Sequence, residues 1–441
     1  MRNEAHRWIR LKTGSWKRWR KCFMMFMLVL FLMCLLKSQS INSGYFYYTM
    51  DPEQFDYVTV DAVMETVSPN WRGLREKDIK RISALGRRLF LEDMSGVPRY
   101  DRNFTILVWK HGPSIEKRLV MRFGTKMLNP FEDCSVSNCR LTYNSAELNT
   151  ADAVLFHLHR TPNRESLPDP KSPRPAHQRW VFLTDENPFH TFTLGSDATK
   201  MKDYNGIFNW SMTYRMDSDI PVPSGRTLRL TIMEKLLLKK QRREGKRREK
   251  RKLVAIMVSN CAGKNKRWSY VKELKKHIPV DVYGACGNLR CDGHFAKDCP
   301  RLNDYKFYLA FENGDCREYI TEKAWWNAYH KGAVPVIMGA SLEDCVRLLP
   351  PKSYIHVRNF SSPASLARYL LYLNASPSEY NNFFHWKKNF KVVNEHGYFQ
   401  SPVYHYCRLC EALNYNDPAP KVYNKLEDFW DSSRDCYEPV I

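Results

Sequence analysis

Three things are scarce in this sequence. It has no apolar run of the roughly 20 residues that span a typical bilayer; its longest, Cys22–Leu36, holds 15. Acidic residues are few, with Asp+Glu 47 against Lys+Arg 69, a net charge of +22. Among its 13 cysteines, Cys286, Cys291 and Cys299 fit no paired CxxC zinc design, so disulfides are the favoured reading over a metal site. The short run excludes a span matched to a thick membrane. A thinner, early secretory bilayer accommodates it, with Lys21 and Lys37 snorkelling to the interfaces. The acid deficit invites a nucleic-acid reading, but its distribution argues against one. Residues 1–21 carry a net +7 and Lys239–Lys252 a net +8, together 15 of the 22 charges. The rest is mildly basic, which suits a small anionic ligand.

What is present is globular: 441 residues with 43% hydrophobic and 26% charged content leave room for two domains. Lys17, Arg18, Arg20 and Lys21 precede the apolar run, so the positive-inside rule expects a cytosolic tail (1–21), a signal anchor (22–36) and a lumenal body. A cleaved signal peptide is the rival, with Ser38-Gln39-Ser40 as a poor cleavage site. Sequons at Asn103, Asn209, Asn359 and Asn374 fit a lumenal body, though each is a weak signal. Two cysteines lie in the apolar run; the remaining eleven are odd in number, so at least one is free or pairs between chains.

The chain is organised around residues 305–341. Lys306–Phe311 reads as a buried strand, Thr321 as the N-cap of a helix to about His330, Gly332 as its C′ glycine, and Ala333–Met338 as a second buried strand. A βαβ unit makes the sheet parallel. Lys323 falls in the first helical turn, where the dipole disfavours a cation. An anion above that terminus would account for it; a solvated surface lysine is the alternative.

Before that unit, residues 37–100 read as a stem with an amphipathic helix near Glu76–Leu91. Strands are expected at Asn103–Lys110, Ala151–His159 and Trp180–Leu183. Asp185-Glu186 then ends a strand ahead of Pro188, either an ordinary acidic turn or a base in a cleft. Lys239–Lys252 reads as a solvated linker between lobes at 101–238 and 253–441. The second lobe opens with strands at Leu253–Val258 and Val280–Tyr283, separated by Arg267 and a helix from Ser269 to His277. A strand at Ile355–Val357 and a helix at Ser362–Leu373 follow. Cys407-Arg408-Leu409-Cys410 reads as a redox pair or half a metal site.

Phe311-Glu312-Asn313, Tyr319-Ile320-Thr321-Glu322-Lys323 and Gly332-Ala333-Val334-Pro335-Val336 resemble, in order, the donor motif of the α1,3-fucosyltransferases, glycosyltransferase family ten. The resemblance runs from about Asn103 to Trp430, with Gly314 where serine is common and Met216 where arginine is usual. It implies an α/β protein of GT-B architecture: two Rossmann-like lobes around a cleft, behind the anchor and stem. It implies a Golgi type II membrane enzyme that transfers L-fucose from GDP-β-L-fucose to a glycoprotein glycan with inversion. Glu186 would be the base, in a segment where Asn187 replaces the family's serine. Arg267 and Lys323 would hold the pyrophosphate, and Glu312, Asn313, Tyr319 and Glu322 the fucose and ribose. Cys407 and Cys410 would bridge to Cys134 and Cys139. No Asp-x-Asp motif stands in the donor segment, so two fixed cations would replace a metal and no cofactor is required. The cysteine-punctuated insertion leans toward the Asn-linked core GlcNAc as acceptor. N-acetyllactosamine ends, or a lumenal glycan-binding protein without catalysis, are the alternatives. First-lobe loops such as His157–His177 would choose the acceptor.

Overall fold

The computed structural model describes residues 71–438, apart from 100–101, 162, 170–172, 193–198, 245–248, 263–264 and 294. The expected cytosolic tail, anchor and first part of the stem lie outside these residues. Among the described residues no helix is long and apolar enough to cross a membrane.

Runs rich in Val, Ile, Leu and Phe form two parallel sheets, the pattern expected of strands buried on both faces. The first sheet has the order β2-β1-β3-β4-β5-β6: β1 Phe104–Val108, β2 Cys139–Thr142, β3 Ala153–His157, β4 Arg179–Thr184, β5 Trp210–Thr213 and β6 Ile220–Pro221. After β7 (Gly225–Arg229), the second sheet has the order β12-β11-β10-β8-β9. Its strands are β8 Lys252–Met257, β9 Val280–Tyr283, β10 Tyr305–Phe311, β11 Val334–Met338 and β12 Ile355–His356. β13 (Phe390–Asn394) pairs antiparallel with β7, Lys391 opposite Leu228. In the second sheet the strand order reverses at β8, between β10 and β9, and the carboxyl ends there form the crevice where open α/β sheets take ligands.

Several expected boundaries move. The single helix expected over Glu76–Leu91 is two, Glu76–Ile79 and Ala84–Leu91, the second capped by Ser83, whose side chain accepts from the Gly86 amide. The end of the expected stem is not a spacer. Trp71, Leu74, Leu85 and Phe90 are buried in the main core. The Arg72 guanidinium donates to the carbonyls of Phe90, Thr227 and Arg347, tying the segment to both later halves of the chain. The first residues of the basic linker continue a helix, Ile232–Glu244, and its last residue opens β8.

The expected second lobe also gives up its tail. Helix His405–Tyr415 packs on helix Ala84–Leu91 and β6. Tyr423 exchanges backbone hydrogen bonds with Gly206 and Phe208. Leu426 and Trp430, both fully buried, complete the apolar cluster under β3 and β4. Disulfides Cys134–Cys407 and Cys139–Cys410 tie the returning helix to the first lobe, and Cys316–Cys436 ties the tail to the loop after β10. Cys261–Cys286 and Cys291–Cys299 close the second-lobe loops where zinc was weighed, and Cys345 is free and buried.

Candidate functional site

A cavity of about 420 Å³ opens at the carboxyl ends of β4, β8, β9 and β10, in the size range of small-molecule sites. Its walls come from both lobes: Asp185 and Glu186 from the first, and Asn313, Tyr319, Glu322 and Lys323 among those from the second.

The adjacent carboxylates after β4 have different surroundings. Asp185 forms a half-buried ion pair with Arg118, from the helix Gly112–Leu119. Burial alone would raise the Asp185 carboxyl; Arg118 outweighs it and holds the group well below the usual carboxylate range. Glu186 has no such partner. Burial, and then the charge on Asp185, push it up, with Lys323 opposing. Its Oε2 accepts from the Tyr319 hydroxyl at 3.0 Å and from Asn313 Nδ2 at 3.5 Å. The two neighbouring carboxyls are thus pushed in opposite directions by their surroundings, Asp185 down and Glu186 up. Asn187 is buried, and its Nδ2 donates to Asn313 Oδ1 at 2.7 Å, joining the lobes beside Glu186.

The loop after β10 is built on Glu312. This residue is 2% exposed and lies beneath the cavity wall, not on it. Its carboxylate accepts from the Thr321 amide and hydroxyl at 2.8 Å each, and from Lys323 Nζ at 2.9 Å. In this arrangement the Glu312 carboxylate holds the Lys323 ammonium. The same demand explains Thr321, whose hydroxyl serves Glu312 and does not cap the helix. Gly339 lies under this pair at φ +140°, where an added Cβ would stand 2.8 Å from Glu312 Cγ. The expected helix is α-helical only over Glu322–Ala324 and widens to a π-helix over Trp325–His330. Gly332, at φ +66°, follows its end.

Lys323 Nζ also approaches Thr321 Oγ1 at 2.9 Å and Glu322 Oε1 at 3.4 Å. Burial works against its charge, but Glu312 and Glu322 outweigh it and raise the ammonium above its ordinary value. Glu322 is pushed up by burial and brought below its ordinary value by Lys323 and then His396. Arg267 is the first residue of its helix, Arg267–Leu274, two residues earlier than expected. It is 1% exposed. Its Nη1 and Nη2 bond the carbonyls of Phe311, Asn260 and Ala262, while Nε has no partner among the described residues. Burial lowers its pKa. Among the described residues no three His, Cys, Asp or Glu side chains cluster as metal ligands.

Sequence reasoning missed Arg118, Asn187 and Asn265, whose Nδ2 bridges the Glu312 carbonyl and Asp315. Arg118 carries no local signal, because its partner lies 67 residues on. The sequon asparagines differ in setting. Asn103 and Asn374 are exposed and Asn359 is buried. Asn209 accepts from the Trp180 amide and donates to the Lys421 carbonyl.

Residues 101–225 match the family described as "Fucosyltransferase, N-terminal", and residues 247–430 the family "Glycosyltransferase family 10 (fucosyltransferase) C-term". The chain is 37% identical over 303 residues to the Drosophila melanogaster glycoprotein 3-alpha-L-fucosyltransferase A, covering 67% of this chain and 55% of that one. It is 42% identical over 257 residues to the Bos taurus 3-galactosyl-N-acetylglucosaminide 4-alpha-L-fucosyltransferase FUT3, covering 58% and 66%. To the Rattus norvegicus alpha-(1,3)-fucosyltransferase 7 it is 33% identical, covering 76% and 82%. A solved α1,3-fucosyltransferase with GDP-fucose aligns over 76% of this chain and 98% of that one at 18% identity, with a TM-score of 0.42, too low to carry a fold argument. With both halves matched in order, the chain belongs to glycosyltransferase family 10, the α1,3-fucosyltransferases.

Proposed function

We propose that the chain transfers L-fucose from GDP-β-L-fucose to a GlcNAc hydroxyl of a glycoprotein glycan, with inversion, as a type II membrane protein of the Golgi. One observation carries the reading. A half-buried glutamate with a raised pKa, Glu186, shares a cavity with two cations, the half-buried Lys323 and the buried Arg267. The difficult step is departure of GDP from an oxocarbenium-like carbon. Its bond to the phosphate oxygen breaks, and the electron pair leaves with GDP. Lys323 and the free Nε–H of Arg267 stabilise the charge that grows there. The acceptor oxygen bonds to the same carbon from the opposite face, and its proton passes to Glu186. Glu312 fixes the Lys323 ammonium, and Tyr319 and Asn313 fix the Glu186 carboxylate.

The core GlcNAc of an Asn-linked glycan is the favoured acceptor, supported by the disulfide-closed insertion Cys291–Cys299, which lines the cavity, and by the likeness to the Drosophila glycoprotein enzyme. The 42% identity to the bovine enzyme supports Lewis-type fucosylation as the second reading. The test is transfer of labelled fucose from GDP-fucose to a core N-glycopeptide and to N-acetyllactosamine, each with and without chelator. Transfer to the glycopeptide alone, unaffected by chelator, is expected. Transfer to lactosamine alone moves the acceptor to the Lewis type, and no transfer with no GDP-fucose binding overturns the reading.

A further inference from the structure

One buried acceptor in the cavity has no role in the chemistry above. Asn327 is 2% exposed and lines the cavity, and its Oδ1 has no hydrogen-bond partner among the described residues. The orientation of its amide is fixed by its neighbours. Asn327 Nδ2 donates to the Tyr308 hydroxyl at 3.1 Å; that oxygen also accepts from the Met257 amide at 3.1 Å and sends its proton to the Met257 carbonyl at 3.3 Å. With the tyrosine proton committed to Met257, Asn327 must present N–H to Tyr308 and C=O to the cavity. A buried carbonyl left without a donor is costly, and wide π turns such as Trp325–His330 recur at functional positions.

The chemistry of the missing partner follows. A pyrophosphate at neutral pH offers only acceptors, so it complements Lys323 and Arg267 but not Asn327 Oδ1. The group facing Asn327 must carry O–H or N–H. Glu186 accepts from Tyr319 and Asn313, whereas Asn327 donates to the Tyr308 hydroxyl, which in turn is bonded to Met257 at the end of β8. The cavity wall beside Met257 continues through Val258 and Ser259 and across to Gly284. We infer that Asn327 is a specificity-determining residue whose Oδ1 accepts a hydrogen bond from the nucleoside of the donor, from a ribose hydroxyl or the guanine amino group. This inference rests on the proposed use of a guanosine diphosphate sugar.

The test is calorimetric binding to the full chain, comparing GDP with 2′-deoxy-GDP, 3′-deoxy-GDP and IDP, for wild type, Asn327→Ala and Asn327→Leu. Wild type is expected to bind one of the three analogues about tenfold more weakly than GDP. In both variants GDP binding drops by about that factor, and discrimination against that one analogue disappears while the others keep theirs. Variants that bind GDP like wild type overturn the inference, as does an equal loss for GDP and every analogue, or a loss seen with GDP-fucose but not GDP. If neither variant folds, wild type decides alone: equal affinity for all four nucleotides overturns the inference, and selective weakening of one supports it. A wild type that binds no GDP overturns the proposed function and this inference together, whereas a wild type that binds it separates the two.

Discussion

At the scale of single residues, Asp185 and Glu186 are neighbours in the chain with opposite electrostatic settings. Glu186→Gln keeps the shape of the site and removes the proton acceptor; transfer is expected to fall by about 10²–10⁴-fold, with GDP binding retained. A base works only when deprotonated. Because burial and Asp185 raise the Glu186 pKa above 4.5, activity is lost as pH falls through that raised value. The acid limb of kcat/KM therefore lies above the ordinary glutamate range. Lys323 pulls the Glu186 pKa down, so Lys323→Met shifts the limb to higher pH in whatever activity remains. The local pattern could not divide the two carboxylates, because the division is made by Arg118 in a helix three strands earlier.

Lys323 and Glu312 separate a stability effect from a catalytic one. Lys323→Ala leaves the Glu312 carboxylate buried without its cation, a loss of about 3–5 kcal/mol by analogy with other broken buried pairs. The double variant Lys323→Ala/Glu312→Gln removes the stranded charge. Thermal melting is expected to recover much of the loss in the double variant, while fucose transfer stays near that of Lys323→Ala. Recovery of transfer together with stability would show that Lys323 acts only on the fold. The motif exposed the lysine, but not that the nearby glutamate serves it from below.

Among the elements, the strand–loop–helix–strand unit at 305–341 was legible in the sequence because its strands are short and apolar apart from Lys306, the second lying between Gly332 and Gly339. The helix between them was mistyped. Its residues suit an α-helix locally, and the wide turn that seats Asn327 against Tyr308 arises from tertiary contacts outside any local pattern. β2 and β6 escaped notice, one only four residues long and half-exposed, the other only two residues. Gly339 provides a test at this scale. Gly339→Ala drives a methyl group into Glu312 and imposes φ +140° on a residue with a side chain. The variant is expected to lose transfer through displaced Lys323 while the β10–β11 pairing persists, measured as weakened GDP binding with near-native circular dichroism.

For the molecule as a whole, the sequence suggested two lobes in succession, and the sheets follow that order while the last residues do not. Nothing in the local pattern of 405–436 distinguishes a segment that stays with the second lobe from one that crosses to the first. The buried Trp430 and Leu426 and the disulfides Cys134–Cys407 and Cys139–Cys410 make the crossing. Removing residues 417–441 is therefore expected to destabilise the first lobe, although its sheet ends at Pro221. In that variant, hydrogen exchange should rise in β3 and β4 more than in β10 and β11. Equal protection in both sheets would show that the tail is dispensable.

The returning tail also imposes a timetable on biosynthesis. Translation delivers Pro221, the end of the first sheet, about 200 residues before Trp430. At ordinary elongation rates that is a wait of roughly 10–40 s. During it the faces of Phe182 and Phe208 that Tyr423, Phe429 and their neighbours will cover stay open, and Cys134 and Cys139 await Cys407 and Cys410. The half of the protein made first is thus the half finished last, and in that interval it depends on whatever shields apolar surface and unpaired thiols in the cell.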